Sequence, residues 1–144
     1  MIVESKILIN KSIEEVWEYF NNPENLALWL SSFEKLEHLE GVPGEVGAKS
    51  KHYYRNNRKL FELTETITKK EKYRYLCITL ENPVMISRIE NRFNSIGNDT
   101  ELVAISETKF KPIMLKIMST FMKKAFQKRQ HSDLEKLKEV IEEL

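Results

Sequence analysis

The stretch from Pro112 to Leu144 constrains this chain most, because no proline or glycine interrupts it after its first residue. Proline suits the first turn of a helix, where its missing N–H is not needed. One long helix over 112–144 is predicted, and at about 1.5 Å rise per residue it would run to roughly 45–50 Å, longer than a small domain is wide. Its apolar stripe therefore needs a covering layer. Met114, Ile117, Met118, Phe121, Met122 and Ala125 recur by threes and fours and so share a face. Methionine is flexible and polarisable, so the row Met114, Met118, Met122 is either adaptable core filling or the wall of a pocket whose occupant varies. Further along, Leu134, Leu137 and Ile141 read as plain anchoring. Ser132-Asp133-Leu134-Glu135 has the form of a helix start, but such matches arise by chance within helices, and one helix is kept.

What precedes the helix supplies the layer. Ile2 to Ile9 alternates as a strand. Ser12-Ile13-Glu14-Glu15 fits a capping box that opens a short helix with Val16, Trp17 and Phe20 on one face. Asn22 and Pro23 start a second, whose buried side is Leu26, Trp29, Leu30 and Phe33. Six strands follow. The first covers 34–40 and leads into a loop, Gly41-Val42-Pro43-Gly44-Glu45-Val46-Gly47, with three of the four glycines. A phosphate loop would need a following Lys and Ser/Thr and a helix after it, and this one lies between strands.

In the next strand Ser50, His52 and Tyr54 share one face against Lys49, Lys51 and Arg55. Asn56-Asn57 reads as a hairpin turn. Phe61, Leu63, Glu65 and Ile67 then align on one parity, with Glu65 the odd member. Over 73–81 the sets Leu76, Ile78, Leu80 and Tyr75, Cys77, Thr79 compete for the inner face undecided. Met85, Ser87, Ile89, Asn91 and Phe93 oppose three charged residues, and Leu102, Ala104, Ser106, Thr108 and Phe110 form the inner set of the last strand. Short turns between consecutive strands imply an antiparallel meander, covered by the long helix; the fold class is α+β.

A chain of 144 residues with 41% hydrophobic and 31% charged residues suits a single globular domain, 1–144. A net charge of +1 gives no push toward nucleic acid. Cys77 is alone, which rules out an intramolecular disulfide and a cysteine metal cluster and fits a reducing, cytoplasmic setting. Glu4 and Lys6 break the first ten residues, so no signal peptide is expected, and no apolar run reaches membrane-spanning length. His38 and His131 are isolated, so no metal and no cofactor are expected. Lys123, Lys124, Lys128 and Arg129 beside Phe126 read as a solvated basic face, since Glu135, Glu139, Glu142 and Glu143 follow.

The order of elements, the opening pair Ser12 to Phe20 and Asn22-Pro23-Glu24-Asn25-Leu26 with Trp29, the glycine loop, and the closing Leu137-Lys138 with Glu142 resemble the helix-grip superfamily. That superfamily includes START domains, the Bet v 1 type and polyketide cyclase/dehydrase-like proteins. The resemblance implies a curved seven-stranded sheet wrapped around the last helix, enclosing a cavity for lipids, polyketides or other apolar molecules. A shared fold fixes no activity.

The expected function is binding of a small apolar molecule between the inner sheet face and the methionine row. The candidate ligand-binding residues are Trp29, Phe33, His52, Tyr54, Phe61, Leu63 and Glu65 with Asn91 and Phe93, and, from the helix, Met114, Ile117, Met118, Phe121 and Met122. An inward His52 and Glu65 would pair as base and orienter, which makes them the catalytic candidates of a cyclase or dehydratase; a quiet hydrogen bond at a wet rim is the plainer alternative. Asn91 must satisfy its amide either on a ligand or on backbone groups at a bulge. A third class is an Hsp90-activator-like interaction module with a filled core. The expected state is a monomer or homodimer, with no stable membrane insertion.

Overall fold

The computed structural model describes residues 1–112 and 120–144. In chain order it runs β1 (Ile2–Ile9), α1 (Ile13–Asn21), a tight helical turn (Pro23–Asn25), α2 (Leu26–Trp29), β2 (Phe33–Glu40), β3 (Lys49–Asn56), β4 (Lys59–Glu71), β5 (Tyr75–Glu81), β6 (Met85–Ile96), β7 (Asp99–Phe110) and α3 (Thr120–Glu142). Seven strands make one curved antiparallel sheet in the order β1-β7-β6-β5-β4-β3-β2. The meander of six strands is thus closed by β1, which pairs with β7 from Ile2 opposite Glu107 to Ile9 opposite Thr100.

Local chemistry explains the breaks between elements. Ser12 caps α1 by accepting from the Glu15 N–H at 3.3 Å, and Asn22 caps the next turn by accepting from the Glu24 N–H at 3.0 Å. The second helix stops at Trp29, because Leu30 is already extended; Phe33 opens β2 and is not part of that helix's face. The β3–β4 hairpin turns at Asn57 and Arg58, both at positive φ, one residue later than predicted and in the sense that matches the strand twist. In the glycine loop a side chain at Gly41 would put its Cβ 2.9 Å from Ala48 Cα, so only glycine fits there.

Helix α3 runs unbroken through the Ser132 to Glu135 pattern. The part of the predicted helix over 113–119, with Met114, Ile117 and Met118, lies outside the described residues. The C-terminal half of α3 is anchored: Leu137 and Ile141 are fully buried. They join Ile9, Val16, Trp17, Phe20, Phe93 and Leu102 in one core. Lys138 donates to the Leu8 carbonyl at 2.7 Å, and Glu142 accepts from the Asn10 N–H at 2.8 Å, tying the helix end to the β1–α1 junction.

Candidate ligand cavity

The core fills only one end of the space between sheet and helices. Toward the other end a cavity of about 640 Å³ opens, walled by β3–β7, α2 and the first described turns of α3. Period two along each strand decides what faces it. Ser50, His52 and Tyr54 of β3 point in and are buried, as do Leu63 and Ile67 of β4. A register shift in β4 falls between Ile67 and Lys69, beyond Glu65, so Glu65 keeps the inner parity. On β5 the inner set is Leu76, Ile78 and Leu80.

Trp29, His52, Tyr54, Phe61, Leu63, Glu65, Asn91 and Met122 all line the cavity. Three other candidates do not. Phe33 packs edge-on against the rings of His52 and Tyr54, at 5.5 and 5.6 Å, as a backing to the wall. Phe93 has the inner parity but lies at the filled end, edge-on to Trp17 at 5.0 Å and Phe20 at 5.1 Å. Phe121 is 81% exposed, and Ala125 is exposed too. The inward stripe of α3 is rotated by about one residue from the predicted one: Met122, Phe126, Gln130 and Leu134 at steps of four, with Arg129 and Asp133 beside them. The mixed chemistry of that stripe hid it, although its spacing was visible.

The polar groups inside are few and incompletely partnered. His52 is 3% exposed, and among the described residues neither ring nitrogen makes a hydrogen bond. Glu65 Oε2 lies 3.4 Å from His52 Nε2, close enough for charge to be felt but without hydrogen-bond alignment. The indole N–H of Trp29 is likewise unpartnered among these residues. Tyr54 stacks on Phe61 at 5.4 Å. Burial pushes its phenol well above the ordinary range, and the Glu65 charge adds to the shift, so Tyr54 serves as a neutral hydroxyl.

Asn91 donates to the Leu76 carbonyl at 3.3 Å, across a β5–β6 pairing with no register shift, so backbone takes its N–H group without a bulge. Gln130 reaches from α3 into the sheet, donating to the Ala104 carbonyl at 3.0 Å and accepting from Ser106 Oγ at 2.8 Å. At the α2–β2 corner, Arg129 donates to the Ser31 carbonyl at 2.8 Å, and Asp133 accepts from both the N–H and the hydroxyl of Ser31. Burial holds the Asp133 carboxyl above its usual range despite these bonds and the nearby Arg129.

His38 meets the Gly41 carbonyl at 2.8 Å and His131 meets Glu135 at 3.1 Å. Among the described residues no three His, Cys, Asp or Glu side chains converge as metal ligands would. No helix among them is long and apolar enough to cross a membrane.

Comparison with solved structures finds the same architecture at low identity. The Zhui aromatase/cyclase from Streptomyces sp. R1128 superposes with a TM-score of 0.82 at 15% identity, covering 99% of this chain and 93% of that one. A protein from Thermus thermophilus gives 0.79 at 18% identity, covering 98% and 97%. Ara h 8.0201 gives 0.78 at 9% identity, again covering 98% and 97%. At such identities the likeness is one of fold, and the fold is the helix grip. Comparison with curated protein sequences found no match. Residues 1–142 match the family described as polyketide cyclase / dehydrase and lipid transport, and the chain belongs to that family.

Proposed function

We propose that residues 1–144 act as one domain that binds a small, largely apolar molecule in the cavity, with its polar end at His52 and Glu65. One observation carries this reading: the cavity of about 640 Å³ is mostly apolar yet holds a nearly fully buried histidine with both ring nitrogens unpartnered among the described residues. Pockets of this size suit small organic ligands, whose apolar burial supplies affinity and whose few polar contacts supply orientation. A buried ring nitrogen left without a partner is a standing penalty that a ligand's oxygen would remove. The lone Cys77 suits a reducing, cytoplasmic setting.

The test is native mass spectrometry of the protein with fatty acids, sterols and aromatic polyketides, supported by thermal shifts. The expected result is a bound mass and a raised melting temperature for at least one class. No bound mass and no shift across all three sinks the reading.

Acid–base chemistry on a polyketide-like substrate is a second reading, favoured by His52 and Glu65 meeting at 3.4 Å inside the cavity. His52 steered by Glu65 would move a proton at a bound carbonyl's neighbouring carbon. Its signature would be turnover of a polyketone probe by the wild type, lost in His52→Gln while that variant still binds. Binding without turnover leaves only the first reading. The interaction-module alternative called for a filled core, and the cavity leaves it without that support.

A further inference from the structure

Strand register places a polar belt straight across the floor of this cavity. Ser50 of β3 pairs opposite Glu65 of β4, Glu65 opposite Leu80 of β5, Leu80 opposite Ser87 of β6, and Ser87 opposite Thr108 of β7. All five line the cavity. The row beside it is apolar from Ile67 through Ile78 to Ile89 and turns polar at Ser106 of β7, whose hydroxyl is already bonded to Gln130. Along the belt itself only Leu80 is apolar. The belt therefore has two poles with an apolar gap between them. Neighbouring strands lie about 4.8 Å apart, so Glu65 and Ser87 are separated by about 9–10 Å.

The poles differ in what they offer. At the first, Glu65 stands beside the buried His52, whose ring nitrogens are both free among the described residues. A carboxylate accepts only, so this pole suits a ligand hydroxyl that donates to Glu65 and takes the histidine N–H. At the second, the Ser87 and Thr108 hydroxyls, both buried, share one hydrogen bond of 2.9 Å. Two hydroxyls carry two protons and the shared bond uses one, which leaves a proton to donate to a ligand carbonyl.

Resting on the cavity-binding reading, we infer that the ligand is a doubly oxygenated apolar molecule: a rigid hydrocarbon body with a hydroxyl at one end, held by Glu65 and His52, and a carbonyl roughly two strand spacings away, held by Ser87 and Thr108. A ligand with a single polar end leaves one pole unmet. Specificity then comes from the span between the two oxygens and not from apolar bulk, since apolar contacts tolerate many shapes.

Four steroid frames test this by isothermal titration: androstane, its ring-A alcohol, its ring-D ketone, and epiandrosterone, which carries both oxygens at opposite ends. Each oxygen is expected to tighten binding roughly three- to tenfold, with epiandrosterone combining both gains. Glu65→Met should abolish the gain from the alcohol and keep that from the ketone. The double variant Ser87→Ala with Thr108→Val should do the reverse, with no hydroxyl left half-satisfied. The wild-type series stands by itself if either variant folds poorly. Equal binding of all four frames, or gains that do not follow the two poles, overturns the belt inference while the cavity reading survives. Binding by none of the four, with no hit in the wider ligand screen, removes both.

Discussion

The two ends of the same sheet face are built alike and finished differently. At one end Phe93 and Leu102 meet Trp17 and Phe20 of α1 and Leu137 and Ile141 of α3, and the space is filled. At the other, the same inward parity carries Ser50, Ser87, Ser106 and Thr108, side chains too short to reach across. The strands alternate identically in both regions. What differs is the residue volume set on each parity and the helices that answer it. The filled end holds its polar groups in bonds, as where Glu142 takes the Asn10 N–H, whereas the hollow end leaves His52 and Trp29 Nε1 unmet among the described residues. Buried groups without partners weaken a fold, so the hollow end is where stability has been given up.

Truncation should separate the ends most sharply. Leu137→Ala removes a fully buried side chain from a filled region and should lower unfolding free energy by about 2–5 kcal/mol in urea titrations. Ile78→Ala trims a wall that already faces open space, so it forfeits fewer contacts and should lose no more than about half of that. Equal losses would mean that the cavity is packed in solution and the contrast between the ends is false.

Enlargement should act the other way. Ile78→Phe grows into the cavity and should leave stability within about 1 kcal/mol of wild type, because there is room for the added ring. Ligand affinity should fall tenfold or more, measured on whichever apolar ligand the screen returns. Unchanged affinity would place the ligand elsewhere. A large drop in melting temperature would show that the space is not available.

These contrasts also mark what the residues disclosed in advance. Period two identified the inward faces of β3, β4, β6 and β7, and with them His52, Tyr54, Leu63, Glu65 and Asn91. It could not order β5, because Tyr75, Cys77 and Thr79 are nearly as acceptable inside as Leu76, Ile78 and Leu80; only pairing with β4 and β6 decides. Parity names a face but not a position along it: it groups Phe93 with the cavity residues, whereas Phe93 belongs to the filled end. On α3 the pull of apolar residues favours Phe121 over Phe126 and Gln130, but consecutive residues point about 100° apart, and with Met122 facing in Phe121 is turned 81% to solvent. The Ser87–Thr108 pair was invisible without register, since serine and threonine in a strand announce nothing until their cross-strand partners are known.

The smallest effect lies in two carboxylates on α3, one at each end. Asp133, at the cavity end, is held above its ordinary 3.8 because burial outweighs the Ser31 bonds and Arg129. The folded chain then binds that proton more tightly than the unfolded chain, so ionised Asp133 is a penalty at neutral pH, relieved as pH falls through the raised value. At Glu142 slight burial pulls upward, but the Asn10 N–H, Lys138 and Lys11 prevail and hold it below 4.5. Its stabilisation is complete above that ordinary value and is lost as pH falls through the lowered one. Asp133→Asn should therefore raise the urea midpoint at neutral pH, and Glu142→Gln should lower it by at most about 1 kcal/mol of stability, as befits a partly exposed pair. Both differences should fade in acid, where the native carboxyls are themselves protonated. Shifts of the same sign in the two variants would mean that the polar groups at the hollow end are as well satisfied as those at the anchored end, and the asymmetry would then lie in volume alone.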